Sequence, residues 1–245
     1  MGIVTAIWEK WIEFKYEWIK ITASALVSPL LYMIALGWGL GSMTNVTDRP
    51  YIDFLVPGLI AMNTMNNSFS AVATALNIQR AFEHSFEQII ISPTSLNQYV
   101  LGQAIGGALR GMYGGFLILL ISLPFGVGIR VTPSFVLVMF LNGLLFAALG
   151  VLAAILANTH GDVARFSTFV ITPMTFLCNT LFPLERIPGA VQVIIRFLPL
   201  THASGQLRSI SYGNPVSWFS LLVLGVYAAV FMGLAIYFIR KRKSF

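Results

Sequence analysis

The chain has 245 residues, of which 57% are hydrophobic and only 10% are charged. Soluble globular domains carry about 25% charged residues, and disordered chains combine low hydrophobicity with high charge, so both classes are excluded. What remains is an integral membrane protein. Its net charge of +6 sits at the ends of apolar runs and reads as a topology signal, not as a nucleic-acid footprint.

Residues 5–20 (TAIWEKWIEFKYEWIK) set Trp8, Trp11, Ile12, Tyr16 and Ile19 at helical spacing, with charges on the other face. This pattern predicts an amphipathic interfacial helix lying on the membrane surface. Glu9, Glu13 and Glu17 alternate with Lys10, Lys15 and Lys20, unlike the basic leader of a secretory signal, and the apolar run that follows is of full span length. No cleaved signal is expected.

A helical span needs roughly 20 apolar residues to cross a hydrocarbon core about 30 Å thick. By that measure the chain is all-α with six spans, at about 21–41, 54–76, 99–123, 134–156, 164–182 and 216–239. The first contains Pro29, which a membrane helix tolerates when neighbours satisfy the freed carbonyl. In the second, Asn63, Asn66, Asn67, Ser70, Thr74 and Asn77 recur at three- and four-residue steps and so share one helix face. Such a stripe serves either interhelical hydrogen bonding or the wall of a substrate path. Asn63, Asn66, Asn67 and Ser70 are the candidates for that path.

Between the second and third spans, residues 77–96 are amphipathic. Phe82, Phe86, Ile89 and Ile90 form one face, Arg80, Glu83, Glu87 and Gln88 the other, and Pro93 marks the end. A cytoplasmic helix of this kind suits the docking of another protein. The third span reads GQAIGGALRGMYGG. Its pairs Gly102/Gly106 and Gly107/Gly111/Gly115 form a close-packing face, within the chain or between protomers. Arg110 lies in the middle of that helix, where an arginine faces a cavity or partner, or snorkels to an interface.

In the fifth span Thr168, Thr172, Thr175 and Asn179 share a face. Threonine hydroxyls bond readily to their own helix backbone, so the structural role leads here. Thr172 and Thr175 are kept as candidates for the path. Residues 183–213 are punctuated by Pro183, Pro188 and Pro199. The apolar part of this stretch is too short to cross, which predicts a re-entrant segment of two short helices in the outer leaflet. With a cytoplasmic N-terminus, nine of the 15 basic residues fall inside and five outside. The positive-inside rule therefore places both termini in the cytoplasm, with an even number of spans.

The chain has no G-x-x-x-x-G-K-[ST] motif, and none of its five lysines lies between residues 21 and 240. A phosphate-cradling lysine has no place in it. His84, His160 and His202 are far apart, Cys178 is the single cysteine, and no carboxylate falls within a predicted span. No catalytic residue, metal site or resident cofactor is expected, and proton coupling is disfavoured.

Tyr51-x-x-Phe54-Leu55-x-Pro57-Gly58, the run Arg80…Phe86-Glu87-Gln88-Ile89…Ser92-Pro93, Pro183-Leu184-x-x-Ile187-Pro188, Leu198-Pro199-Leu200-Thr201-His202 and Arg208 together resemble the ABC-2 type permeases, the membrane subunits of one class of ABC exporter. The resemblance covers nearly the whole chain and is greatest to nodulation-factor, polysaccharide and drug exporter permeases. His84-Ser85 stand where that family usually has Gly-Thr. The resemblance implies a single ABC-2 transmembrane domain over 1–245, working as a homodimer in the cell (inner or plasma) membrane. Two separate ATPase subunits would dock beneath it, carrying the ATP and Mg. Residues 79–92 would be the coupling helix, with Arg80, Glu83, Phe86, Glu87, Gln88, Ser92 and Pro93 at the ATPase contact. ATP-driven closure would push an amphipathic substrate (lipid, glycolipid, polysaccharide or hydrophobic drug) outward. The alternative is an ATP-independent secondary transporter or channel, which would function without an ATPase.

Overall fold

A computed structural model of the chain describes residues 2–40, 45–46, 49–81, 95–157, 159–184 and 188–243. Helix α1 (Gly2–Tyr32) runs on into a π-helical stretch, Met33–Leu40. Two-residue strands β1 (Asn45–Val46) and β2 (Arg49–Pro50) pair antiparallel, with Val46 opposite Arg49. Then come α2 (Tyr51–Ala81), α3 (Leu96–Ser122, with a 3-10 turn Leu123–Phe125) and α4 (Pro133–Leu156). Next, α5 (His160–Phe166) passes through a π-helical stretch, Ser167–Ile171, into α6 (Thr172–Leu177). The chain ends with α7 (Gly189–Phe197), α8 (Pro199–Ser211) and α9 (Trp218–Lys243).

Local chemistry sets several of these boundaries. The Thr132 hydroxyl accepts from the Phe135 N–H at 3.3 Å, and Pro133 follows in the first turn of α4, where its missing N–H costs nothing. At α5, Thr159 and Asp162 form a reciprocal capping box: the hydroxyl accepts from Asp162 N–H at 3.3 Å and the carboxylate from Thr159 N–H at 2.9 Å. Gly126, at φ 71°, ends the 3-10 turn after α3 in the left-handed region.

Helices α2, α3 and α4 form the centre. Their buried core includes Leu59, Met65 and Phe69 of α2, Ile118 of α3, and Phe135 and Phe146 of α4. Helix α1 packs along α3, α9 along α4, and α8 wedges against α2, α4 and α9. Lipid tails are as apolar as leucine, so close approach rather than hydrophobicity holds such helices together. The glycines of α3 supply that approach inside this chain. A Cβ on Gly102 would sit 2.6 Å from Ala6 Cβ of α1. One on Gly107 would sit 2.5 Å from Val72 Cγ2 of α2, and one on Gly115 2.5 Å from Met139 Cε of α4. The stripe is thus an intrachain packing face.

Among the described residues, four helices are long and apolar enough to cross a membrane: Gly2–Gly37, Leu96–Phe125, Pro133–Leu156 and Trp218–Lys241. Two features depart from the sequence expectation. No break divides an interfacial helix 5–20 from a first span beginning at 21, because α1 continues from Gly2 to Tyr32. Lys10 of its charged face is buried and Glu9 and Glu13 are half-buried against α2 and α3, and no glycine or proline lies near residue 20 to interrupt it. The predicted span 164–182 is not one regular helix. Pro173 lacks the N–H that would bond one turn back. Thr168, Thr172 and Thr175 all donate to backbone carbonyls, of Ala164 at 3.0 Å, Ser167 at 3.3 Å and Ile171 at 3.0 Å. The result is a π-helical stretch and an end at Leu177.

Candidate functional site

The polar stripe of α2 divides between two environments. Asn63 is buried, and its Nδ2 donates to the Gly114 carbonyl of α3 at 2.8 Å. Asn67 Nδ2 donates to both the carbonyl and the Oδ1 of Asn63, each at 2.9 Å. These two residues therefore help join α2 to α3. Asn66 is half-buried and Ser70 exposed. Thr172 is exposed and Thr175 buried, each with its hydroxyl on the helix backbone. The stripe and the threonines are not brought together: α2 packs chiefly on α3 and α4.

Arg110 is paired. Its Nη1 lies 2.7 Å from Glu13 Oε1, and the other Glu13 oxygen accepts from Lys10 Nζ at 2.9 Å. Lys10, only 4% exposed, also donates to the Ala71 carbonyl of α2 at 3.0 Å. One turn earlier, Glu9 accepts from Gln79 Nε2 of α2 and, at 3.1 Å, from Gln103 Nε2 of α3. Tyr99 Oη donates to Gln79 Oε1 at 3.4 Å. Three helices are thus cross-linked through Glu9, Lys10 and Glu13, which the sequence pattern places on a membrane-surface helix. The available signal was the coincidence of two faces: Glu9, Lys10 and Glu13 opposite the tryptophans on α1, and Gln103 and Arg110 seven residues apart on α3.

Of the expected ATPase-contact residues, Arg80 alone is described. Glu83, Phe86, Glu87, Gln88, Ser92 and Pro93 lie outside the described residues. Arg80, in the last turn of α2, donates through Nη1 to the carbonyls of Ala154 (2.7 Å) and Ile155 (2.8 Å). It satisfies the orphan carbonyls at the C-terminal end of α4, where a cation also complements the helix dipole.

At the opposite end of α2, three separate stretches converge. Arg208 of α8 is 7% exposed; its Nε donates to the Phe54 carbonyl at 3.1 Å and its Nη2 to the Asn179 carbonyl at 2.8 Å. Its guanidinium carbon stands 3.6 Å from the centre of the Phe54 ring, a cation–π contact. Tyr51 Oη donates to the Leu181 carbonyl, and Gly58 presses on the backbone of Thr180 so closely that any Cβ would collide with its carbonyl. Asn179 reaches this junction at φ 56°, in the left-handed region. The scattered Tyr51…Gly58 and Arg208 motifs are therefore one site in space, built around the irregular chain after α6.

The sequence profile of ABC-2 type transporters matches residues 1–212. The chain is 31% identical to Nodulation protein J of Rhizobium meliloti (strain 1021) over 242 residues, covering 97% of this chain and 92% of the relative. It is 30% identical over 208 residues to the Inner membrane transport permease YadH of Escherichia coli (strain K12), covering 83% and 80%. A Nodulation protein J from Rhizobium leguminosarum bv. trifolii is 31% identical over 219 residues, covering 86% and 82%. A profile match across most of the chain and near-complete alignment with transport permeases agree with the apolar helices, and the chain belongs to the ABC-2 type transporter family of membrane transport permeases.

Proposed function

We propose that this protein is the permease subunit of an ATP-driven exporter that moves an amphipathic substrate outward across the cell membrane. In this reading two copies form the membrane unit and two separate ATPase subunits supply ATP and Mg. The chain crosses six times with both termini in the cytoplasm, and residues 79–92 receive the thrust of the ATPases. The permease relatives, one of them named an inner membrane transport permease, support the assignment. So does the absence of any lysine between residues 21 and 240, which leaves nucleotide hydrolysis to another chain.

The observation that carries the reading is the position of Arg80. It stands at the exit of α2 into the expected coupling segment, with its guanidinium on the last carbonyls of α4. Helix α4 is the most deeply buried of the four long apolar helices. A displacement of the coupling segment would therefore reach the centre of the bundle through two charge-assisted hydrogen bonds. The same end of α2 is tied through Gln79 to Glu9 of α1, so both helices would move with it. Asn66 and Ser70, which remain partly or fully accessible, are the path residues this reading retains from the α2 stripe; Arg110, Thr172 and Thr175 lie apart from them.

The test is to purify the tagged protein from its own cells in mild detergent and identify what accompanies it. An ATPase in equal stoichiometry, with activity stimulated by lipids, glycolipids or hydrophobic drugs, is the expected result. A pure oligomer that moves solute into liposomes without ATP would overturn the reading.

A further inference from the structure

A cavity of ≈ 270 Å³ opens between the first half of α1 and α3. Its walls are apolar: Ile7, Trp11 and Phe14 from α1, Leu109 and Tyr113 from α3. Gly106 forms the floor; a Cβ there would meet Lys10 Cγ at 2.9 Å, so the depth of the groove depends on glycine. Two cations, Lys10 and Arg110, complete the lining among the described residues. Glu13, 30% exposed, pairs with both. A guanidinium offers five N–H donors. Among the described residues, the acceptor recorded for Arg110 is Glu13, and its buried Nε has none. A buried donor without an acceptor is costly, and here it stands beside an apolar groove open to the side of the bundle.

We infer that this groove binds an anionic phospholipid, with one acyl-chain segment in the cavity and the phosphate taken by the Arg110 guanidinium. The volume lies just under the roughly 300–1,000 Å³ of pockets for drug-sized ligands, so it suits part of one chain rather than a whole lipid. The groove faces away from the α2 stripe: Trp11 is 55% and Leu109 50% exposed, as expected for a site filled from the surrounding bilayer rather than from a central path. Trp8, Trp11 and Trp18 are exposed along the same side of α1, with Lys15 exposed among them. Tryptophan with lysine is the pairing that anchors segments at the headgroup level of anionic membranes. The inference needs only that the chain lies in a membrane and does not depend on the ATPase.

The experiment uses the full-length protein with Trp11 as its only tryptophan, the other four being replaced by phenylalanine. It is reconstituted in phosphatidylcholine vesicles containing brominated phosphatidylglycerol or brominated phosphatidylcholine. Brominated phosphatidylglycerol should quench Trp11 at ~10-fold lower mole fraction, about the worth of one charge-assisted hydrogen bond. Arg110→Gln should abolish the preference and Arg110→Lys should keep most of it. If Arg110→Gln does not fold, Leu109→Phe, at an exposed position on the mouth of the groove, should lower the quenching by closing it. Equal quenching by the two lipids would overturn the inference. So would a preference that persists unchanged in Arg110→Gln or Leu109→Phe, since general attraction to the basic surface would then explain it.

Discussion

Gly111 and Gly225 are both glycines inside long helices, and they face opposite fates. A Cβ on Gly111 would collide with the Ser68 side chain and lie 2.6 Å from the Thr64 carbonyl oxygen, whereas one on Gly225 of α9 would meet nothing within 4 Å. Overpacking of a tight contact costs about 1–3 kcal/mol, while an unobstructed Gly→Ala in a helix gains roughly 0.5–1 kcal/mol. Gly111→Ala should therefore lower the thermal midpoint in detergent-based melting, and Gly225→Ala should leave it unchanged or raise it. The asparagines divide in the same way. Asn63→Leu removes the bond to the Gly114 carbonyl and one anchor of Asn67. Interhelical polar contacts in membranes average about 0.6 kcal/mol and reach roughly 1.7 kcal/mol, so a loss in that range is expected from the same melting assay. Asn66→Leu, at a half-buried position, should leave stability alone and change transport. A fall in stability equal to that of Asn63→Leu would assign Asn66 to packing. The sequence shows that these residues share a face; it does not show which of them meets α3, because that depends on which carbonyl a neighbouring helix presents.

Helices whose character follows from their own composition were the legible ones. The third, fourth and sixth predicted spans overlap α3, α4 and α9, each a long run of apolar residues with few charges. The N-terminal segment was read differently because its helical period is compatible with two burials. Its charged face suits water as well as it suits Gln79, Gln103 and Arg110, and only the tertiary partners decide. The stretch 164–182 reads as one span because its hydropathy is continuous, while its backbone responds to Pro173 and to three threonines that bond their own carbonyls. Arg80 was read as a surface residue of a docking helix, and the structure also makes it the cap of α4. Together with the proposed coupling role, this cap gives a prediction at the level of elements. Arg80→Gln keeps a donor but loses the charge, worth roughly 1.5–3 kcal/mol for a hydrogen bond to a charged group. The ATPase should still copurify and hydrolyse ATP, while the amount of substrate moved per ATP should fall, with Arg80→Lys intermediate. Loss of ATPase binding in Arg80→Gln would instead place the residue at the docking surface alone.

For the molecule as a whole, the number of crossings turns on the two segments that are not long apolar helices. Helix α2 has 31 residues, about 46 Å of helix, and packs on α3 and α4, both apolar enough to cross; the proposed topology has it cross with them. The segment from Ala157 to Leu181 is anchored at both ends of the same α2. It starts just beyond Ala154 and Ile155, which accept from Arg80, and it ends where Tyr51 donates to the Leu181 carbonyl. Between these anchors Phe166 stacks on Phe69, near the middle of α2, with ring centres 5.8 Å apart. In the proposed topology this segment, which runs beside α2 from its end to its beginning, crosses the same thickness with an irregular backbone. Irregular backbone at membrane depth is tolerated where protein satisfies it, and Arg208 does so at the Asn179 carbonyl. The proposed six-crossing topology places Gly128 and Asn214 on one side and Gln98 on the other. In a Cys178→Ser background, Gly128→Cys and Asn214→Cys, both at exposed positions, should react with a membrane-impermeant maleimide while the cytoplasmic membrane is intact. Gln98→Cys should react only after permeabilisation. Asn214→Cys labelled together with Gln98→Cys would mean that residues 157–184 turn back before crossing, placing the C-terminus outside and Arg240, Lys241, Arg242 and Lys243 on the side that the positive-inside rule disfavours.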